Sequence, residues 1–342
     1  MIRQNIRDLK PYSSARDEYT GEDAVFLDAN ENPYFHPLNR YPDPRQRDLK
    51  KMIAGMKSVS EKNIFLGNGS DEAIDILIRA FCEPGTDNIV SIDPTYGMYE
   101  VSAAINGTEY RKVPLKSDFS LNVDALRDSS DQNTKIIFLC SPNNPTGNSF
   151  THSDINNIVK WFNGILIIDE AYIDFSVNQG FIGMIDRINN LVVLQTMSKA
   201  WGKAGIRLGM AFAGEQITDV MNKIKPPYNI NSLTIHEGLT TLGNENEKNM
   251  RVSQIINDRN RLFEKMQKLK TVKKVYPSDA NFLLVEVDDA AGIYNYLISK
   301  NIIIRNRSGI ARCKNCLRIT IGTTEEIEQL LKAWINYETS NK

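Results

Sequence analysis

A length of 342 residues favours one large domain with a smaller companion over a single core. The sequence is 41% hydrophobic and 24% charged, which is typical of an ordinary soluble globular protein. Its 41 basic residues are balanced by 42 acidic ones and no basic stretch is sustained, so nucleic-acid binding is disfavoured.

Signals for targeting and for metal binding are weak along the chain. Residues 1–19 lack the apolar core of a signal peptide and no membrane-length apolar run occurs, so we expect a cytoplasmic protein without a membrane partner. The cysteines, too few for a disulfide framework, are Cys82, Cys140, Cys313 and Cys316. The last two form a C-x-x-C, which alone could be half of a zinc site or a redox pair. The histidines His36, His152 and His236 show no ligand spacing, so no metal site is predicted.

The first two thirds of the chain alternate apolar runs with helical segments. A strand is predicted over residues 63–66, followed by a glycine turn and a helix over 71–81 that Ser70 caps. Further strands are predicted over 88–92, 109–113, 135–140, 164–168, 191–194 and 210–213. Because several of these strands are continuously apolar, they predict a mostly parallel sheet that is buried on both faces.

After about Tyr228 the pattern changes to long polar helices and shorter strands. Helices are predicted over 232–242, 246–269, 290–299 and 325–337, and strands over 272–276, 281–285, 302–305 and 316–321. This order of elements suits a smaller α+β domain. We therefore assign 29–229 to a large domain, and 1–28 together with 230–342 to a small domain with an N-terminal arm.

Two loops that follow predicted strands carry groups suited to an anionic, aromatic ligand. The turn 67–71 leaves a strand and opens a helix, so its backbone N–H groups and the helix dipole can receive a phosphate. The turn 141–147 presents Asn144 between prolines, and its amide can donate to a phenolate oxygen. Each segment alone is also compatible with an ordinary turn.

An aspartate ends the predicted strand 164–168. Asp169 follows a buried apolar run, where its charge needs a partner, and a pyridinium N–H would be stabilised by it. Tyr172, three residues on, can reach the phenolic oxygen of such a ring. The alternative interpretation is an aspartate that caps the following turn.

The stretch TMSKAWGKAGIRLG, residues 196–209, is the most informative in the chain. Lys199 is framed by the hydroxyls of Thr196 and Ser198, and Arg207 offers a planar fork for a phosphate dianion. A lysine held in this way is typical of a Schiff-base nucleophile, and the site suits a phosphorylated aldehyde. The alternatives are a surface turn, or Lys203 as the reactive amine, although Lys203 lacks the hydroxyl frame.

These motifs form a set that resembles a known family. NGSDE, PTYGMY, SPNNPTG, DEAYIDF, TMSKAWGKAGIRLG and LRITIG, in this order and spacing, resemble the fold type I pyridoxal-phosphate aminotransferases. LDANENP and RYPDP, with IIIRN upstream of CLRITIG, are similar to the histidinol-phosphate aminotransferases of the class II subgroup. The resemblance covers about residues 9–322. It implies an α/β fold, with a large domain whose mostly parallel sheet carries helices on both faces, and a smaller α+β domain.

The resemblance also implies a role for each site residue. Pyridoxal 5′-phosphate would be the cofactor, and Lys199, Asp169 and Tyr172 the catalytic residues. The implied cofactor-binding residues are Ser70, Asp71, Tyr96, Asn144, Asp169, Tyr172, Thr196, Ser198, Lys199 and Arg207, with Tyr41 from the neighbouring subunit of a homodimer. The implied substrate-binding residues are Arg318 and Arg305, with Tyr12 and Asn30 as weaker candidates. Arg307, Arg312 and Lys314 lie nearby in sequence, so the ligands of the substrate phosphate stay open.

The reaction implied by the resemblance belongs to histidine biosynthesis. L-Histidinol phosphate and 2-oxoglutarate would be converted to imidazole acetol phosphate and L-glutamate in a two-stage transamination. An aromatic amino acid aminotransferase is one alternative. A threonine-phosphate decarboxylase is another, distinguished by release of carbon dioxide without use of 2-oxoglutarate. A non-catalytic regulator is disfavoured, because no DNA-binding segment precedes the domain and the chemical motifs are complete.

Overall fold

Two sheets organise the part of the chain that the computed structural model describes, residues 2–19, 24–34 and 36–340. The strands are β1 Ile64–Asn68, β2 Asn88–Asp93, β3 Glu109–Pro114, β4 Thr134–Cys140, β5 Ile165–Asp169, β6 Leu191–Thr196, β7 Leu208–Ala213, β8 Val272–Val275, β9 Phe282–Val287, β10 Arg305–Asn306 and β11 Cys316–Thr320. The α-helices are α1 Gln4–Asp8, α2 Ala15–Glu18, α3 Arg47–Lys57, α4 Ser70–Phe81, α5 Met98–Ile105, α6 Val123–Asp128, α7 His152–Val159, α8 Glu215–Ile224, α9 Ser232–Leu242, α10 Glu245–Met266, α11 Ala290–Ser299 and α12 Thr324–Ser340.

The larger sheet has seven strands in the order β1-β7-β6-β5-β4-β2-β3. Only β7 runs against its neighbours, so the mostly parallel sheet predicted from the apolar runs is confirmed. Alternate residues of β4 enter different cores: Ile137 packs with α3 and α7 on one face, and Phe138 with α4, α5 and α8 on the other. Because both faces are covered, the central strands carry continuous apolar runs, such as residues 136–140 of β4 and 165–168 of β5.

The smaller sheet is antiparallel, in the order β10-β11-β9-β8. It buries one apolar core against α10, α11 and α12, in which the indole of Trp334 is wholly enclosed. The division of the chain after residue 229 stays a prediction. Helix α9, just beyond that division, contacts α3 and places Leu242 in a core of the larger sheet.

Two local predictions are wrong. The strand predicted over 302–305 is limited to β10. Within the predicted run only Arg305 pairs with β11, while Ile304 is buried in the smaller core and Ile303 is exposed. Ser70 is the first residue of α4 and not its cap; Gly69 precedes it in the left-handed region at φ 78°, and contributes no side-chain hydrogen bond. Helix α10 also ends at Met266, three residues before the predicted end, in a turn that leads to β8.

The carboxyl ends of three parallel strands meet at one edge of the larger sheet. Cys140 at the end of β4 pairs in register with Asp169 at the end of β5, and Thr196 ends β6 beside them. The amino terminus of α4 reaches the same edge, because the backbone N–H of Gly69 donates to the carbonyl of Arg207 at 2.8 Å. In the described residues, none of the helices combines the length and the apolar character needed to cross a membrane.

Candidate active site

A cavity of about 160 Å³ opens at this edge of the sheet. Its lining consists of Ser70, Asp71, Tyr96, Cys140, Asn144, Asp169, Ala171, Tyr172, Thr196, Ser198, Lys199, Ala204 and Arg207. Apart from Tyr41, every residue that the sequence singled out for the cofactor therefore lies around one space. These residues come from five separate segments of the chain, which the strand order of the sheet brings together.

Lys199 projects into this cavity from the turn after β6. Its ammonium nitrogen lies 5.6 Å from the centre of the Tyr172 ring. The side chain is reached by solvent through the cavity, yet partial burial and the positive charge of Arg318 lower the pKa of Lys199 below its ordinary value. Lys203 is instead paired with Glu237 at 2.6 Å and does not line the cavity. Lys199 is therefore the reactive amine that the geometry favours.

Asp169 carries a buried carboxylate on the floor of the cavity, with 3% of its surface exposed. Its Oδ2 accepts a hydrogen bond from the Tyr99 hydroxyl at 2.7 Å, and its Oδ1 accepts one from the backbone N–H of Ala171 at 3.0 Å. Burial raises the pKa of Asp169, and these two hydrogen bonds act against that rise. Such a carboxylate is suited to a cationic N–H of an aromatic ligand.

Tyr99 was missed by sequence reasoning. It lies three residues after Tyr96 in the PTYGMY motif, where only Tyr96 was singled out. The signal that could have found it is helical spacing, since residues three apart at the start of a helix lie on one face. Its partner Asp169 is 70 residues away, and that contact depends on the sheet.

Donors for a phosphate group converge at the other end of the cavity. The hydroxyls of Thr196 and Ser198 lie 3.0 Å apart, and Nη1 of Arg207 lies 3.4 Å from Oγ of Ser198. The amino terminus of α4 adds backbone N–H groups at Ser70 and Asp71. This donor set, with its helix dipole, fits a phosphate dianion.

Glycines allow that close packing. A Cβ atom at Gly209 would lie 2.1 Å from the backbone nitrogen of Ser70, and one at Gly69 would lie 2.5 Å from Nη2 of Arg207. Neither position has room for a side chain. The strand β7, the start of α4 and the arginine can approach one another only because these residues lack Cβ.

Asn144 connects the cavity to the smaller sheet. Its Nδ2 donates to the Tyr172 hydroxyl at 3.4 Å, and its Oδ1 accepts from Nη1 of Arg318 at 2.6 Å. Arg318 lies on β11 and also stands over the ring of Phe282, 5.3 Å from its centre. Burial raises the pKa of Tyr172, so its hydroxyl stays protonated and can donate.

Three arginines lie on or directly after the strands next to Asn144, and none forms an ion pair with a carboxylate among the described residues. Arg305 and Arg318 lie opposite each other in the β10–β11 ladder, and Arg307 is partly buried beside them. The Nε atoms of Arg307 and Arg318 are buried without a hydrogen-bond partner in the described structure. Burial, with the positive charges of Arg318 and Arg305, lowers the pKa of Arg307. Arg305, Arg312 and Lys314 are exposed, so Arg307 is the partly buried cation that the geometry adds to the predicted pair.

Tyr41, Tyr12 and Asn30 do not reach the Lys199 cavity within one subunit. The Tyr41 ring is 50% exposed and stacks on Tyr228 at 4.4 Å, where it lines a separate space together with Asn30. Tyr12 is 72% exposed and lines a third space. All three lie on the N-terminal segment, which belongs to neither sheet.

Comparison with known proteins gives a consistent result. The family described as aminotransferase class I and II matches residues 18–333. A Parabacteroides distasonis protein named histidinol-phosphate aminotransferase is 55% identical over 336 residues, covering 98% of this chain and 97% of that protein. The crystal structure of the histidinol-phosphate aminotransferase from Clostridium acetobutylicum has a TM-score of 0.82 at 25% identity, covering 89% of this chain and 92% of that one. The Sinorhizobium meliloti enzyme of the same name, solved in complex with pyridoxal 5′-phosphate, has a TM-score of 0.82 at 23% identity, covering 89% and 84%.

Proposed function

Because this chain belongs to the class I and II aminotransferases, and within them to the histidinol-phosphate aminotransferases, we propose that its Lys199 cavity is where L-histidinol phosphate is transaminated. The amino group passes to 2-oxoglutarate, giving imidazole acetol phosphate and L-glutamate, a step of histidine biosynthesis. The cofactor is pyridoxal 5′-phosphate. The observation that carries the proposal is that Lys199 and the buried Asp169 line one cavity, while Arg318 of the smaller sheet is hydrogen-bonded to Asn144 in the wall of that cavity.

The residues present fit this cofactor from end to end. When bound, the cofactor supplies an electron-withdrawing ring that stabilises negative charge at the substrate carbon. Asp169 would face the ring nitrogen, while Asn144 and Tyr172 would hold the ring oxygen. The residues that would hold its phosphate are Ser70, Asp71, Thr196, Ser198 and Arg207. Tyr96, whose hydroxyl is held by Asp71 at 3.1 Å, would lie against the flat face of the ring.

Lys199 has two tasks in this arrangement. Its amine would hold the cofactor covalently, and in its free form it would take the proton from the substrate α-carbon. Both tasks need the neutral amine, and the lowered pKa of Lys199 increases the neutral fraction at neutral pH. The proton that Lys199 takes up can be returned from the same nitrogen, so one side chain serves as base and acid.

The arginines of the smaller sheet would read the anionic end of both substrates. Arg318, Arg305 and Arg307 form a cluster without an ion pair among the described residues, and a dianion would offset two of its three positive charges. A phosphate on the amino donor and a carboxylate on the keto acid can use the same planar forks. Tyr12 and Asn30 stay predictions as substrate contacts.

We further propose a homodimer in which Tyr41 reaches the cofactor phosphate of the other subunit. Tyr41 lies outside its own Lys199 cavity, and its surroundings include the exposed apolar side chains Leu38 and Leu233. Apolar side chains exposed together are typical of an interface with a second copy. The cytoplasmic location stays a prediction.

Peptide mapping after borohydride reduction tests the assignment of the lysine. Reduction of the protein loaded with pyridoxal 5′-phosphate should attach the cofactor permanently, so the peptide that contains Lys199 should show the added mass of the cofactor. Lys199→Ala should lose both this label and the visible absorption band, whereas Lys203→Ala, the matched control, should keep both. A label on Lys203 in the wild-type protein would contradict the assignment.

A further inference from the structure

The hydroxyl of Tyr99 is the only side-chain donor to Asp169 among the described residues. The phenol is wholly buried at the start of α5, and it donates to Oδ2 of Asp169 at 2.7 Å. The other oxygen of the carboxylate accepts only from the backbone of Ala171, and no cation in the described structure forms an ion pair with it. A charged Asp169 therefore depends on this phenol.

Packing on two sides holds the Tyr99 hydroxyl in place. Its ring stacks on Phe138 of β4, with centres 4.6 Å apart and planes 10° from parallel. Its other side meets the ring of Tyr96 edge-on at 5.5 Å, and the backbone of Tyr99 donates to the carbonyl of Tyr96 at 3.3 Å. Tyr99 thus contacts both residues proposed to face the cofactor ring, Asp169 at the nitrogen and Tyr96 on the flat face.

The hydrogen bond opposes the cost of burying the Asp169 charge. Burial raises the pKa of Asp169, while the donation from Tyr99 lowers it. Burial and the negative charge of Asp169 hold the pKa of Tyr99 well above its ordinary value, so the shared proton stays on the phenol oxygen. The other titratable groups that face Asp169 are Asp71 on α4, Tyr96, Cys140 on β4, Tyr172 and Lys199.

We propose that Tyr99 is a positioning residue that keeps Asp169 ionised and aimed at the ring nitrogen of the cofactor. This rests on the proposed function, because it takes Asp169 as the partner of that nitrogen. A protonated Asp169 would lose the charge that holds a cationic N–H, so the phenol sets the lowest pH at which the site can bind its cofactor well.

Cofactor affinity across pH tests this role without any substrate. The dissociation constant of pyridoxal 5′-phosphate is measured for the cofactor-free protein, for Tyr99→Phe and for Tyr110→Phe, between pH 5.5 and pH 9. Tyr99→Phe keeps the stacked ring and removes only the donor. Tyr110, a partly buried tyrosine of edge strand β3, is the matched control outside the cavity.

The expected result follows from the sign of the pKa change. Without the donor, the pKa of Asp169 rises further. In Tyr99→Phe, Asp169 therefore becomes protonated at a higher pH than in wild type. The ratio of dissociation constants, Tyr99→Phe over wild type, should therefore grow as the pH falls, reaching about tenfold or more, the size of a lost hydrogen bond to a charged group. Tyr110→Phe should give a ratio near one throughout.

Other outcomes would overturn the proposal. A ratio that is raised equally at every pH would make Tyr99 a packing residue, and a ratio of one would remove it from the site. The same change is also made in Asp169→Asn, and an unchanged effect of Tyr99→Phe in that background would overturn the role as well. Failure of the wild-type protein to bind pyridoxal 5′-phosphate would instead sink the proposed function itself.

Discussion

Burial of charged groups without ion pairs is the main feature of this site at the scale of single residues. Glu170, beside Asp169, has no cationic partner among the described residues. Its carboxylate accepts from Nε2 of Gln195 at 2.8 Å and from the backbone N–H of Phe181. Burial raises the pKa of Glu170 to about 7, so this carboxyl changes charge near neutral pH.

This carboxyl makes the stability of the protein depend on pH. Because its pKa rises from 4.5 to about 7 on folding, the native state binds more protons than the unfolded state in that window. The free energy of unfolding therefore falls as the pH rises through it. Glu170→Gln removes the titration. The free energy of unfolding of the variant minus that of wild type should therefore be larger at pH 8 than at pH 5, by up to about 3 kcal/mol.

Denaturant unfolding of both proteins at pH 5 and pH 8 measures this difference. Glu264→Gln, at an exposed position of α10, is the control and should show no pH-dependent difference from wild type. If the stability difference between Glu170→Gln and wild type is the same at both pH values, Glu170 does not titrate in this range.

A second residue prediction concerns the cations that read the substrate phosphate. Arg307→Gln should lower kcat/KM for histidinol phosphate by about tenfold to a hundredfold, because a partly buried guanidinium loses its charge-assisted contact. The same change should affect histidinol, which lacks the phosphate, far less. Arg312→Gln, in the same loop but exposed, should stay within about twofold of wild type. Equal losses for both donors, or equal losses from Arg307→Gln and Arg312→Gln, would count against Arg307.

At the scale of elements, the site depends on how closely the start of α4 approaches β7. Gly209→Ala would place a Cβ 2.1 Å from the backbone nitrogen of Ser70, and the helix terminus would have to move. We expect a loss of about 1–3 kcal/mol of stability and a several-fold rise in the dissociation constant of pyridoxal 5′-phosphate. Gly205→Ala, for which a Cβ meets nothing within 4 Å, is the matched control. Thermal unfolding and cofactor titration of both variants measure the effect, and similar behaviour of the two would refute this account of the helix terminus.

The strands that are buried within the larger sheet could be predicted from their apolar runs in the sequence. The predicted runs 135–140 and 164–168 agree within one residue with β4 and β5, because two covered faces favour a continuous apolar run in each strand. The predicted strand 302–305 was mostly wrong for a related reason. Ile304 is buried in the smaller core and Ile302 packs against that core, while Ile303 is exposed. An apolar run alone does not reveal whether the backbone pairs.

At the scale of the whole molecule, the active unit is proposed to be two chains. If Tyr41 serves the other subunit, a mixture of Lys199→Ala and Tyr41→Phe proteins, each poorly active alone, should form some intact sites after refolding together. Random pairing predicts roughly a quarter of wild-type activity, because half of the dimers are mixed and each mixed dimer has one intact site. As a control, a protein that carries both substitutions in the same chain should show no recovery of activity after the same refolding. Failure of the mixture to recover activity would argue against a shared site.

The candidate site was predicted well where its residues follow strand ends in recognisable motifs. Lys199, Asp169 and Asn144 lie in loops directly after β6, β5 and β4, so the order of a parallel sheet brings them together. Tyr99 escaped, and the choice of Arg307 among the nearby cations stayed open, because their surroundings depend on contacts between distant segments. The packed molecule alone decides which side of a turn Arg307 faces and which carboxylate Tyr99 contacts.

The visible spectrum of the protein loaded with pyridoxal 5′-phosphate tests the central claim most directly. Histidinol phosphate should bleach the absorption band of the lysine-bound cofactor, and 2-oxoglutarate added afterwards should restore it. Phenylalanine and threonine phosphate, in separate samples, should leave the band largely unchanged. Bleaching by phenylalanine alone would contradict the account in favour of an aromatic aminotransferase, and release of carbon dioxide from threonine phosphate would contradict it in favour of a decarboxylase.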